Sequence, residues 1–321
     1  MRDLQKRIDR TRTYLPQKVK KYFQWPDVKK EIYKNRYYYV LMAPYMIIFF
    51  TFVVLPVIAS IGISFTYFNM LELPRFIGWQ NYSRLFLNDD IFLIALRNTF
   101  YFAIITGPVS YFACFIFAWI INELPPKLRA FMTLVFYAPS ISGNVYYIWQ
   151  IIFSGDRYGF INGLLIRLGI ILEPVQWLKD ERYIMTVLIV VQLWMSLGTS
   201  FLAFIAGLQS LDRSLIEAGA VDGIKNRLQE LWYIVLPSMR PQLLFGAVMQ
   251  ITNSLAVADI SVALAGFPSV NYAGHTVVTH LMDYGTIRFE MGYASAIATV
   301  LFVIMLGTNL LTQKMIRKIG G

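Results

Sequence analysis

Asn98–Asn122 reads NTFYFAIITGPVSYFACFIFAWIIN, 25 consecutive residues without a charge. A helix rises about 1.5 Å per residue, and about 20 apolar residues suffice to cross the hydrocarbon of a bilayer. The stretch is therefore long enough to span. Five further uncharged runs flank it: Tyr37 to Leu71, Ala130 to Gly155, Tyr183 to Leu211, Pro241 to Ala258 and Met291 to Gln313. Helices are the expected form, because a backbone exposed to lipid must satisfy its own hydrogen bonds. A membrane barrel would instead show alternating segments of about ten residues. The run from Pro241 is the shortest, and it carries Gln242, Gln250, Thr252, Asn253 and Ser254. It is expected to be screened from lipid by its neighbours.

Composition agrees. Of 321 residues, 57% are hydrophobic and only 15% charged, with a mean hydropathy of +0.52; soluble proteins carry about 25% charged residues. The single cysteine, Cys114, excludes an internal disulfide and is read as packing on an apolar span. Two histidines leave little for a metal cluster. His275, His280 and Asp283 lie close in sequence, but scattered polar residues in a solvated cap are the simpler reading, and no metal site is expected.

The net charge of +10 raises a nucleic-acid partner, and the positions of the cations remove it. Counted between the runs with the N-terminus inside, 21 of the 29 Lys and Arg fall in inside segments, 12 of them before residue 37. Cytoplasmic segments carry that excess, so both termini are expected in the cytoplasm. The expected organisation is a basic tail over 1–36, a six-span all-α membrane domain over 37–313, and a short tail over 314–321. Weak attraction of the first tail to anionic lipid is compatible with it. The first apolar run greatly exceeds a signal-peptide core and is expected to stay in the protein.

The inside segment 212–240 is far longer than a turn between antiparallel helices requires. Ser214 and Glu217 have capping-box spacing. Gly223 interrupts the helix that would follow. Leu228, Leu231, Trp232 and Val235 then recur at helical spacing until Pro237 ends the second helix. A helix, a bend and a helix can dock into a partner's groove or rest on lipid headgroups, and the residues alone leave both open.

Glu217-Ala218-Gly219-Ala220-Val221-Asp222-Gly223, with Ile234-Val235-Leu236-Pro237 and Pro241, resembles the EAA loop of bacterial ABC importer permeases of the carbohydrate, maltose-related type. The resemblance extends to Phe76–Tyr82, to Asn98-Thr99 and to Gly292-Tyr293-Ala294-Ser295-Ala296, so it covers most of the chain beyond the basic tail. Two departures stand out. Gly219 replaces the usual second alanine, and ten residues rather than the commoner nine separate Gly223 from Ile234.

The resemblance implies a type I importer permease fold with six spans in the bacterial inner membrane. It implies a second permease subunit, two cytosolic ATPase subunits that hold ATP and Mg, and an extracytoplasmic sugar-binding protein. The EAA loop, with Glu217, Ala218, Gly219, Ala220, Asp222, Gly223 and Pro237, would couple to the ATPase: Glu217 through polar contacts, Ala218 to Ala220 by packing in its cleft, and Gly223 by permitting the bend. A local capping role for Glu217 stays open beside this one.

The chain itself has no G-x-x-x-x-G-K-[ST] phosphate loop, and neither G-x-S-x-G nor H-E-x-x-H. It is therefore not expected to be an enzyme or to bind a cofactor. A sugar route needs hydroxyl-pairing groups and aromatic faces. The candidates at helical spacing are Asn144, Tyr147 and Gln150; Gln192, Trp194, Ser196 and Thr199; and Gln250, Asn253 and Ser254. The same residue types also join helices in membranes. The alternative from another class is an ion-coupled secondary transporter, which needs carboxylates within the spans, and these are lacking.

Overall fold

The computed structural model describes residues 31–143 and 145–318. Nearly all of the basic tail, and Asn144, lie outside the described residues. The chain divides into two compact units, Met1–Ala59 and Ser60–Gly321. The first holds most of α1 (Arg36–Ile63), whose most apolar stretch has a mean hydropathy of 2.6. A π turn at Phe50–Val54 lies just before Pro56. Proline has no N–H and its ring crowds the carbonyl four residues back, and a turn closing on the fifth residue accommodates both.

In the second unit, β1 (Thr66–Tyr67) pairs antiparallel with β2 (Arg75–Phe76), with Thr66 opposite Phe76. α2 (Gln80–Leu87) leads to α3 (Asp90–Asn122), a 33-residue helix capped by the Asp89 side chain. α4 (Pro126–Ile141) and α5 (Tyr146–Ile152) follow, then α6 (Phe160–Arg167). α7 (Glu181–Met195) and α8 (Thr199–Gln209) together make one membrane-length segment. The loop helices are α9 (Arg213–Val221) and α10 (227–238). α11 (Arg240–Leu255) and α12 (Asp259–Ala265) make the next long segment, and α13 (Val277–Met282) and α14 (Met291–Lys318) complete the chain.

Among the described residues, five helical segments are long and apolar enough to cross a membrane, against the six spans expected. The run from Ala130 makes the difference, because it divides into α4 and α5. Pro139 stands in the last turn of α4, and Ser142 is extended at φ −86°, ψ 108°, which ends the helix. Neither piece reaches across alone. α14 also continues to Lys318, through most of the expected C-terminal tail.

α3 is the central helix of this unit and packs against α7, α8 and α11. Cys114, Phe115, Phe201, Phe204, Met239 and Leu243 form one buried cluster. Phe102, Ile184, Leu188, Val191, Ile260 and Leu264 form a second. Close approach of α8 and α11 depends on Gly246, where a Cβ would strike the Phe204 ring. Such small-residue contacts replace the hydrophobic drive that lipid removes. As expected, the segment beginning at Arg240 is screened: half of its most apolar stretch is buried, including Gln250 and Ser254.

Candidate coupling loop and translocation path

The loop is built from its caps. Asp212, not Ser214, is the N-cap of α9, and its side chain accepts the Ser214 N–H at 2.9 Å. The expected capping box is thereby corrected. Asp212 stands two residues closer to the chain's entry and takes the Ser214 N–H that Glu217 was to reach, so Ser214 lies inside the helix. Glu217 is exposed and makes no hydrogen bond or ion pair among the described residues.

The far end of α9 closes with a Schellman motif. The Ile224 N–H donates to the Gly219 carbonyl at 2.9 Å and the Gly223 N–H to Ala220 at 3.3 Å. Gly223 sits at φ +97°, a conformation that glycine adopts without cost. Asn226 then caps α10, accepting the Gln229 N–H, while the Gln229 side chain accepts the Lys225 N–H. α10 contains a π turn at Leu231–Val235. A π turn holds one residue more than an α turn, which takes up the tenth residue of the spacer. Helical backbone runs through Pro237 to Ser238, so Pro237 does not end the helix where expected; the break comes at Met239. Gly219 is buried, and a Cβ there would run into Ile234 and Ile224. Glycine at this position lets α9 lie directly on α10. The outer surface is apolar: Leu215, Val221, Leu228, Trp232 and Tyr233 are all exposed, Val221 at 88%. Of the apolar set expected on one face of α10, only Leu231 and Val235 turn inward.

Within the bundle the helices are interrupted at Ser196–Gly198 and Ala256–Ala258. Each interruption frees carbonyls that have no water to meet, so side chains from other helices meet them. The Ser196 carbonyl accepts from Gln250 Nε2 and Cys114 Sγ, both at 3.3 Å. The Val257 carbonyl accepts from Thr276 Oγ1 at 2.7 Å.

At the end of the bundle formed by α2, α13 and the start of α14, polar side chains lock the segments together. Asp89 is buried; its carboxylate accepts from Tyr293 Oη at 2.6 Å, lies 3.0 Å from His280 Nε2, and caps Phe92. Burial pushes the Asp89 carboxyl up, but the bonds from His280, Tyr293 and the Phe92 N–H outweigh it and hold the group well below the usual carboxylate range. His275 meets His280 at 3.3 Å, and burial together with the facing imidazole lowers it to about 4. Asp283 is bonded to Arg288 at 2.7 Å instead of joining the histidines. Among the described residues no group of three or more His, Cys, Asp or Glu could hold a metal. Arg84 pairs with Glu290 at 2.6 Å and stacks on the Tyr293 ring at 4.2 Å.

Residues 115–320 match the family model described as "Binding-protein-dependent transport system inner membrane component". The chain belongs to this family. Among curated relatives it is similar to the probable ABC transporter permease protein YesP of Bacillus subtilis (strain 168), at 33% identity over 83% of this chain and 86% of YesP. It is also similar to the arabinooligosaccharides transport system permease protein AraP of the same organism, at 28% over 86% and 87%. Among solved structures it resembles a bacterial alginate ABC transporter in complex with alginate pentasaccharide-bound periplasmic protein. That likeness has a TM-score of 0.73 at 22% identity over 90% of this chain and 97% of the other, and it shows the type I importer permease fold. This permease is thus a multi-pass inner-membrane component of an ABC transporter and not its ATPase.

In this permease the candidate path residues divide by what they touch. Gln250, Ser196 and Ser254 are buried, and each makes a hydrogen bond within the bundle. Gln150 donates to the Ala263 carbonyl at 2.5 Å. Tyr147, Trp194, Thr199 and Asn253 are exposed, Gln192 is half-buried, and Trp194 lies edge-on to Trp149. The motif segments found in the sequence hold other loops in place: Asn81 Nδ2 donates to the Ser64 and Thr66 carbonyls, Gly292 lies so close to the same Thr66 carbonyl that a Cβ would not fit, and Asn98 Nδ2 donates to the Tyr272 and His275 carbonyls. Asp89 was not singled out from the sequence, and neither was its link to His280 and Tyr293. The available signal was an acidic residue directly before an apolar run, an N-cap signature.

Proposed function

We propose that this chain is the permease subunit of an ATP-driven importer of sugars or oligosaccharides. It forms half of the translocation path beside a second permease subunit. Two cytosolic ATPases carrying ATP and Mg engage it through α9, and an extracytoplasmic sugar-binding protein delivers the substrate. Both termini lie in the cytoplasm on this reading, which the excess of Lys and Arg in the corresponding segments supports. The names of AraP and of the alginate transporter support the substrate class and the delivery partner. Family membership goes against the ion-coupled alternative.

The carrying observation is Glu217. It projects from a helix fixed at both ends, and among the described residues no neighbour claims its carboxylate. With Ala218, Gly219, Ala220, Asp222, Gly223 and Pro237 it forms the coupling element, and the apolar surface around it suits a partner's groove. Tyr147, Gln192, Trp194, Thr199 and Asn253 are the path residues favoured by accessibility; Gln150, Ser196, Gln250 and Ser254 hold the helices that carry them. The test is Glu217→Ala in the assembled transporter in vesicles. Membrane insertion is expected to be unchanged while substrate-stimulated ATP hydrolysis falls several-fold. Undiminished stimulation would defeat the coupling role.

A further inference from the structure

A cavity of about 400 Å³ opens behind α9, bounded by the end of α3, the start of α4 and α10. Its lining includes Arg129, Arg213 and Arg227, with Glu123, Glu230 and Asn122. Arg227 occupies both carboxylates, reaching Glu123 at 3.1 Å and Glu230 at 2.9 Å. Among the described residues the Arg129 guanidinium hydrogen-bonds only to the Leu124 carbonyl, through Nε and Nη2. Arg213 has no ion-pair partner among the described residues, although Glu217 stands one turn further along α9. Two guanidinium groups from different helices are thus left facing one polar cavity. Asn122 Oδ1 is buried there with no donor among the described residues.

Planar guanidinium forks match phosphate oxygens, and an orphaned carbonyl oxygen calls for a hydroxyl. We propose that this cavity binds a phosphate-bearing, hydroxylated ligand, with Arg129 and Arg213 on the phosphate and Asn122 accepting from a hydroxyl. A cytosolic sugar phosphate and the headgroup of phosphatidylglycerol share that chemistry. Bound there, the phosphate ties α9 to α4 and braces the coupling element. That consequence rests on the proposed function, whereas the binding does not.

The test uses the full chain in nanodiscs, with no ATPase present. In phosphatidylcholine discs, glucose 6-phosphate is titrated beside glucose and inorganic phosphate, and binding is followed by calorimetry and unfolding temperature. Separately, unfolding temperatures are compared between phosphatidylcholine and phosphatidylglycerol discs. Arg213→Gln is expected to weaken the response about tenfold, the loss of one charge-assisted contact, Arg213→Lys to weaken it less, and Lys225→Gln, outside the cavity, to leave it unchanged. A response to glucose 6-phosphate that depends on Arg213 supports the site with a soluble ligand. An Arg213-dependent stabilisation seen only with phosphatidylglycerol supports it with a lipid headgroup. No response in either bilayer, a response indifferent to Arg213→Gln, or equal binding of glucose overturns it. Glu217→Ala is read through ATP hydrolysis and this site through binding, so either can fail alone.

Discussion

Gly219 shows how one missing side chain sets the loop. A Cβ at this position meets the Ile234 and Ile224 side chains, so Gly219→Ala is expected to lift α9 from α10 at a cost of about 1 to 3 kcal/mol, the range for overpacking. Faster amide exchange along α9 measures it. Ile234→Val removes the methyl that stands in the way, and the double variant should recover most of the protection. Gln250 has a comparable role within the bundle. Gln250→Leu leaves the Ser196 carbonyl with Cys114 and the Gly198 N–H of its own turn and removes the bond that ties it to α11, so the unfolding temperature should fall by the equivalent of about 1 kcal/mol, near the upper range for membrane hydrogen bonds. An unchanged value would mean that water or the cysteine suffices.

Among the elements, the loop was the most legible in sequence and its details the least. Glycine at 223 marks a bend because only a left-handed residue closes the Schellman motif, and Gly223→Ala should cost about 1 kcal/mol of local stability. Circular dichroism should report intact bundle helices while exchange in α9 quickens. The choice between Asp212 and Ser214 as cap could not be read, because both residue types cap and the helix start depends on which carboxylate is free. Nor could the π turn, whose residues Leu231–Val235 are ordinary helix formers. The interruptions at Ser196–Gly198 and Ala256–Ala258 hide inside uncharged runs, since hydropathy counts apolar residues and ignores where the backbone turns. Only Gly198 and the prolines at 108 and 139 carried a local hint, and Pro108 lies within an unbroken α3.

At the scale of the molecule, the span pattern and charge asymmetry were legible because lipid imposes them on composition. The cluster of Asp89, His275, His280 and Tyr293 was not, since its members lie up to 204 residues apart. It makes stability depend on pH. His275 stays neutral when folded down to about pH 4, whereas the unfolded chain takes up this proton below about pH 6.5. Its contribution is complete above about 6.5 and is lost as pH falls towards 4. Asp89, held low, adds a loss in the same direction at still lower pH. His280, Asp283, Tyr284 and Arg288 face the same cluster. The unfolding midpoint is expected to drop by the equivalent of roughly 1 to 3 kcal/mol between pH 7 and 4.5, and His275→Gln should flatten that slope. An equal slope in the variant would assign the effect elsewhere. Orientation can be tested on the same scale: with Glu217→Cys, a membrane-impermeant thiol reagent added to sealed cells should leave the residue unlabelled.

Beside the Gly198 N–H of its own turn, the Ser196 carbonyl holds two side-chain donors, Gln250 and Cys114, that ride on different helices. Sliding breaks these interhelical bonds and takes the buried Gln250 amide from its oxygen acceptor, so displacement of these helices is penalised until a new partner is within reach. The interruptions therefore behave as detents. Whatever force arrives from the loop, the bundle resists small pushes and yields in whole steps.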